Sequence, residues 1–214
     1  MAEIGVIIVA GGAGRRMGGA LPKQFMMLEQ QPILARSINR IHEALPKAEI
    51  VVVLPAEHVE LWRNMAARFD VARHKIAIGG KERFHSVLNG ISALSSEVEY
   101  IAVHDGVRAL VTKRLIIRAM LAVEEHDAVI PVVDVVDSYR RVEGDDSYIV
   151  PRSELRIVQT PQIFKAQLLR DAYNVAFSPA FTDDASVVEA FGGHITWWKR
   201  TIEISRLQRP RILP

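Results

Sequence analysis

The sequence predicts an α/β fold on a mostly parallel sheet, with one β-hairpin projecting from it as an arm. Three observations carry that expectation. Runs rich in Val and Ile recur at 4–9, 50–54, 76–78, 100–104 and 128–133, each followed by a segment of helical length, which is the alternation of βαβ units. The intervening segments place apolar residues at helical spacing. Beyond Asp134 the alternation stops, and β-formers interleave with charges instead.

Taken in order, the first strand, 4–9, runs straight into a glycine-rich stretch. Pro32 sits where a first helical turn accepts it, and Ile33, Leu34, Ile38, Ile41 and Leu45 follow at helical spacing until Pro46. Leu61, Met65 and Phe69 mark a second helix. Val87, Leu88, Ile91 and Leu94 mark a third, and Leu115, Ala119 and Val123 a fourth. These stripes are the core faces. A hairpin is predicted over 138–150, with Gly144-Asp145-Asp146 as its turn. The excursion 134–155 reads either as an arm that pairs with another subunit or as an edge hairpin on its own sheet. Residues 167–177 and 183–191 read as helices, the second opened by the Thr182-Asp183-Asp184 cap. No repeat or low-complexity linker interrupts the chain, and 214 residues with 49% hydrophobic content are enough to bury one full core, so a single domain is expected.

The 27 basic and 25 acidic residues nearly balance, which argues against a polyanion-binding face and hence against a nucleic-acid polymer as partner. Cysteine is absent, which excludes disulfides, thiolate metal sites and Cys nucleophiles and fits a reducing compartment. The N-terminus lacks the pattern of a signal peptide, and no run approaches 18 apolar residues. A soluble cytoplasmic protein without membrane contact is the expectation.

The stretch from Val9 to Phe25 reads as a phosphate cradle. Glycines at 11, 12 and 14 let the backbone pass close to a polyanion with its N–H groups turned inward, and Arg15, Arg16 and Lys23 bring positive charge to the same loop. A dinucleotide fingerprint is excluded because Met17 stands where its third glycine belongs, and no ribose-binding acid follows residues 50–54. A P-loop is excluded because Gly-Lys-Ser/Thr is absent.

In open α/β sheets ligands bind beyond the carboxyl ends of the strands, and three further places qualify. Gly79-Gly80-Lys81-Glu82-Arg83-Phe84-His85-Ser86 is either a site where paired glycines admit a flat base or an ordinary strand-to-helix turn. In Val103-His104-Asp105-Gly106-Val107-Arg108, Asp105 can accept from a hydroxyl or hold a metal-bound water, and Arg108 offers a fork for phosphate; a structural Asp–Arg pair is the alternative. Thr160-Pro161-Gln162 and Thr182-Asp183-Asp184-Ala185-Ser186 offer hydroxyls and helix N-terminal amides to an anionic substrate, or serve only as caps. His42, His58, His74, His126 and His194 show no metal-ligand spacing.

Taken in order, the Gly-Arg-Arg-Met run with Pro22-Lys23-Gln24, the Gly-Gly-x-Glu-Arg-x-x-Ser-Val run, Val-His-Asp-x-x-Arg, Thr160-Pro-Gln-x-Phe and Thr182-Asp-Asp-Ala-Ser resemble the 2-C-methyl-D-erythritol 4-phosphate cytidylyltransferase family over about residues 4–196. The resemblance implies a Rossmann-like nucleotidyltransferase fold, with CTP and a polyol phosphate as substrates, Mg²⁺ across the triphosphate, and a homodimer through the 134–155 arm. By motif match, Arg16 and Lys23 would stabilise the pentacoordinate phosphorus, and Arg152 would align the substrate phosphate. Gly80, Lys81 and Ser86 would read cytosine, with Ala10 and Gly106 near the ribose and Gly11, Gly12 and Gly14 in the cradle. Asp105, Arg108 and Ser138 would hold the polyol, with Thr160 and Thr182 on the substrate side. Direct metal ligands are not legible. Ser138 stands where the family usually has Thr, and Val107 and Ala109 stand where Ala and Pro are usual. Ribitol-5-phosphate cytidylyltransferases share most of these motifs and supply the alternative substrate; an alternative of another class is a catalytically weak nucleotide-binding protein.

The segment 197–214 departs from the family pattern. Family members continue with a segment whose lysine reaches the substrate phosphate. Two adjacent tryptophans fix the codons TGG TGG, and reading one base from each codon with two from the next permits Leu-Val-Glu-Ala-Asn-Tyr-Arg-Asn-Ile-Lys-Ile-Thr-Thr-Pro-x-Asp-Leu, the family's segment. A single-base frameshift near Thr196 is the expectation, with that lysine encoded across Ser205 and Arg206 and the Trp pair left exposed on a poorly ordered tail.

Overall fold

Ile4, Val6, Ile7 and Ile8 are all buried because the first strand, β1 (Ile4–Val9), has a parallel neighbour on each side and helices on both faces. The computed structural model describes residues 3–11 and 21–199. After β1 come a short antiparallel pair, β2 (Met27–Leu28) and β3 (Gln31–Pro32), then α1 (Ile33–Ala44), β4 (Glu49–Leu54), α2 (Val59–Ala66), β5 (Lys75–Ile78), α3 (Arg83–Ala93), β6 (Tyr100–Asp105), α4 (Lys113–Glu125) and β7 (Ala128–Asp134). The hairpin β8 (Tyr139–Glu143) and β9 (Asp146–Val150) follows. Then come β10 (Arg156–Val158), β11 (Gln162–Lys165), α5 (Ala166–Ala172), α6 (Asp184–Phe191) and β12 (Thr196–Lys199).

Strands β5, β4, β1 and β6 pair in parallel, in that spatial order. Strand β11 then lies antiparallel between β6 and β7, and β12 pairs parallel with β7. Side chains alternate across the sheet, so the core divides in two. Val6, Ile8, Val52 and Leu54 meet Leu34, Ile38 and Ile41 of α1, Trp62 of α2 and Ile116 and Ala119 of α4. On the opposite face, Ile7, Val51, Val53 and Val103 meet Val87 and Ile91 of α3, Leu169 of α5 and Val188 of α6. Fully burying an aliphatic side chain of this kind contributes roughly 1.5–3 kcal/mol.

The five Val/Ile runs are all strands of this sheet, and the helical stripes fall on helices except in α2, which ends at Ala66 before Phe69 and leaves Leu61 exposed, its buried face being Val59 and Trp62. Three further local expectations are corrected. The hairpin turn is Gly144-Asp145 alone, because Glu143 pairs with Asp146 across it and Gly144 takes the positive φ of 62° that a tight turn needs. Helix α5 ends at Ala172 instead of reaching Phe177: Tyr173, Phe177 and Phe181 leave the helical path to gather round Phe84, with ring centroids 4.7–5.8 Å away. The Trp pair lies in a strand, β12, with Trp198 packed against the core and only Trp197 exposed. Arg118 stacks over Trp198 and Arg156 over Trp197. Residues 200–214 lie outside the described residues.

Strands β10 and β11 are one antiparallel strand broken by a bulge. Val158 opposes Val132 and Ile163 opposes Val129, so five steps on one side span three on the other. The surplus is taken up at Gln159-Thr160-Pro161, where the Thr160–Pro161 bond is cis and Gln159 N–H donates to the Pro131 carbonyl at 2.8 Å. Bulges of this kind re-aim side chains beside functional sites, and this one faces the carboxyl end of β6.

Candidate active site

The carboxyl ends of β1, β5 and β6 form one rim. Val9 leads into Ala10, whose N–H donates to the Val53 carbonyl at 2.9 Å, while Gly106 N–H donates to Val9 O at 2.9 Å. A Cβ on Gly106 would stand 3.1 Å from that of Ala10 and 3.0 Å from Leu34 Cδ1, so the two loops pack closely and a side chain there would force its neighbours to shift. Gly11 faces Ser86 of α3, whose Oγ would lie 3.9 Å from a Cβ there. Arg16, Gly12 and Gly14, which the sequence assigns to the phosphate cradle, lie outside the described residues.

The Gly80 turn is locked onto the helix behind it. Ser86 Oγ accepts from Gly80 N–H at 3.1 Å and donates to the Glu82 carbonyl at 3.1 Å. A Cβ on Gly80 would fall 2.3 Å from that of His85, so only glycine closes this turn. Lys81 projects from it exposed to solvent. Lys23 stands in a single tight turn, Lys23–Phe25, that follows Pro22. Its neighbours fix that turn: Gln24, almost fully buried, donates Nε2 to the Ala10 carbonyl at 2.9 Å, and buried Phe25 stacks on Trp62. Gln24 is thus a positioning residue to which the sequence assigned no role, although it directly follows the assigned lysine.

Asp105 is the centre of charge on the rim. Its carboxylate accepts from Arg108 Nε at 2.7 Å and lies 3.6 Å from Arg83 Nη2. Burial alone would raise the Asp105 carboxyl; Arg108 and then Arg83 outweigh it and hold the group below the usual carboxylate range. Arg108 also donates to Gln159 Oε1 at 2.6 Å, and Asp105 N–H donates to Thr160 Oγ1 at 3.2 Å. The Thr160 hydroxyl also meets Nδ1 of buried His104 at 2.9 Å. Thr160 therefore sits in the bulge before a strand and caps no helix, contrary to one reading of the sequence.

The other threonine lies at the N-terminus of α6. Asp183 and Ser186 cap each other there, with Ser186 N–H on Asp183 Oδ1 at 3.0 Å, and exposed Thr182 donates its N–H to Ser186 Oγ at 3.2 Å. Gln162, from β11, donates to Asp183 and accepts from Ala185 N–H, which ties the cap to the bulge. Ser138 and Arg152 are exposed at the base of the hairpin. Among the described residues neither is joined to the rim by a hydrogen bond or ion pair; Arg152 donates to the Val136 carbonyl at 3.2 Å.

Such a rim, glycine turns and cations at the carboxyl edge of a doubly wound sheet, defines a nucleotide-binding α/β protein. The sequence model of the 2-C-methyl-D-erythritol 4-phosphate cytidylyltransferase family matches residues 4–199, and the chain belongs to that family. Relatives carrying that name include those of Bacteroides fragilis, 46% identical over 87% of this chain and 85% of the relative, and Phocaeicola vulgatus, 43% identical over 96% and 94%. Among solved structures, 4-diphosphocytidyl-2C-methyl-D-erythritol synthase of Anaerococcus prevotii shares the fold with a TM-score of 0.79 at 22% identity, covering 94% of this chain and 90% of that one. The enzyme of Thermus thermophilus, 26% identical, covers 98% and 94% with a TM-score of 0.73. The family match runs through Lys199, three residues into the segment that sequence reasoning set apart. No helix among the described residues is long and apolar enough to cross a membrane.

Proposed function

We propose that the protein transfers CMP from CTP to 2-C-methyl-D-erythritol 4-phosphate and releases pyrophosphate. Family membership over residues 4–199 carries the reading, and the gathering of Ala10, Gly11, Gly80, Ser86, Asp105, Gly106, Arg108 and Thr160 on one rim supports it. A phosphate oxygen of the polyol attacks the α-phosphorus of CTP, the bond from that phosphorus to the bridging oxygen breaks, and the electron pair leaves on pyrophosphate. The nucleophile is already ionised near neutral pH, so the protein supplies position and charge in place of a general base.

In this reading Gly11, the Gly80 turn and Ser86 receive the nucleotide, with Lys81 at its edge and Ala10 and Gly106 beside the ribose. Lys23, held by Gln24, and Arg16 neutralise charge at the reacting phosphorus. Asp105, Arg108, Thr160 and Thr182 orient the polyol, with Ser138 and Arg152 approaching from the arm. Because the last two stand apart from the rim within one chain, a homodimer that brings a partner's arm to each rim is part of the proposal. Mg²⁺ would arrive with CTP. The triphosphate oxygens would hold the ion, and Asp105 would be available to one of its waters. We further propose a single-domain cytoplasmic enzyme, and a frameshift as the origin of the sequence after Thr196; sequencing the coding DNA decides the latter, and an undisturbed reading frame would refute it.

The experiment is pyrophosphate release with Mg²⁺, CTP and either methylerythritol 4-phosphate or ribitol 5-phosphate. Turnover with the first is expected. Preference for ribitol 5-phosphate, or nucleotide binding without turnover, would overturn the reading.

A further inference from the structure

Asp184 opens α6 and is completely buried, yet it is a carboxylate. Arg83 forks onto it, Nη1 to Oδ1 at 3.0 Å and Nη2 to Oδ2 at 2.7 Å, and the Tyr173 hydroxyl donates to Oδ1 at 2.6 Å. The same Arg83 Nη2 lies 3.6 Å from Asp105 Oδ1. Arg83 is the first residue of α3, three before Ser86, so one guanidinium carried at the start of that helix meets the carboxyl end of β6 and the N-terminus of α6. Burial pushes the Tyr173 hydroxyl up and the adjoining Asp184 carboxylate pushes it further, so Tyr173 remains a proton donor.

We propose that Arg83 is a positioning residue: clamped by buried Asp184 and Tyr173, it presents the edge of its guanidinium to Asp105 and so sets where that carboxylate meets the polyol substrate. The inference rests on the function proposed above. A guanidinium is planar and bidentate, so fixing one edge on Asp184 fixes the direction of the rest; an ammonium carries the charge without the direction. Arg108 holds the other oxygen of Asp105, so the carboxylate is gripped from two sides, and loss of the Arg83 side lets it rotate about the Arg108 contact. Recognition of the nucleotide base is insulated, because Ser86 closes the Gly80 turn through its own hydrogen bonds.

The test uses the full-length protein and steady-state kinetics with both substrates. Arg83→Lys is expected to raise KM for the polyol phosphate about tenfold and to leave KM for CTP within about twofold. On an Asp105→Asn background Arg83→Lys should change nothing further, because its route through the carboxylate is already cut. Equal effects on both backgrounds, or unchanged KM for the polyol phosphate, would overturn the proposal. If Arg83→Lys does not fold, Tyr173→Phe decides: it should raise the same KM at least about twofold, and no rise overturns the inference. An unsubstituted protein inactive with every polyol phosphate would instead refute the functional reading, and this one with it.

Discussion

Replacing Gly80 by alanine should uncouple nucleotide binding from folding. The added Cβ would sit 2.3 Å from the Cβ of His85 and 3.0 Å from its carbonyl carbon, whereas carbon atoms settle at about 3.5–4.0 Å. The turn must therefore move away from α3 by more than about 1 Å, since His85 is backbone-anchored in the helix and no flexible side-chain end can yield. The bond from Gly80 N–H to Ser86 Oγ starts at 3.1 Å, so a displacement of that size carries it beyond hydrogen-bonding range, roughly 3.5 Å. The backbone of Gly80 and Lys81, which the proposed function sets against the nucleotide, moves with the turn. Losing one or two well-aligned contacts costs about 1–3 kcal/mol, or about 5- to 150-fold in affinity. Calorimetric titration with CTP and Mg²⁺ reads the effect, with thermal unfolding measured in parallel. Gly144→Ala, which strains the hairpin turn through its φ of 62° but alters no residue assigned to the nucleotide, serves as the control and should leave CTP binding unchanged. A folded Gly80→Ala protein that bound CTP as well as the parent would refute the assignment of this turn to the nucleotide.

Lys23→Ala should lower kcat about 10²- to 10³-fold with little change in melting temperature, because Gln24 and Phe25 hold the turn without it; equal losses in rate and stability would contradict a role at the reacting phosphorus. Asp105, with its folded pKa depressed, should contribute stability that is fully present above the ordinary carboxylate range and lost as pH falls through the folded value. The difference in urea unfolding between the parent and Asp105→Asn should accordingly stay flat from neutral pH to about pH 5 and shrink only below it, and shrinkage at higher pH would show that the arginines do not set its titration. On the hairpin, Val142 and Ile149 share one face and are 71% and 64% exposed. Replacing both with Glu should yield monomers by sedimentation and depress turnover while CTP still binds; an unchanged mass would remove the arm from the interface.

Most of the rim was legible because βαβ units are local: a strand, the loop after it and the next helix are contiguous, so Gly11, the Gly80 turn and Asp105 could be assigned from order alone. The bulge was not legible, since it exists only where residues 156–164 meet β7 and are forced out of register around the Thr160–Pro161 bond. The sequence therefore offers Thr160 as a hydroxyl for substrate or as a cap, but not as the bulge residue that meets Asp105 and His104. The short pair β2–β3 and the strand β12 escaped for a related reason. Two residues carry no periodicity, and a departure from the family pattern masks the alternation of the Trp pair across a strand, Trp198 inward and Trp197 outward.

The Arg83–Asp184 pair was hardest to foresee, because 101 residues separate its members and each belongs to a motif that suggests another use. Its burial also needs a reason beyond stability. An ion pair whose carboxylate is fully buried is often no more stabilising than apolar residues of similar volume, since desolvation cancels much of the attraction. Here the apolar option was at hand, for Phe84, Phe177 and Phe181 already pack with Tyr173 around the same helix end. Apolar side chains would have closed the gap between α3 and α6, but they could not have turned a fixed guanidinium edge toward Asp105. The charge is kept where a direction is needed.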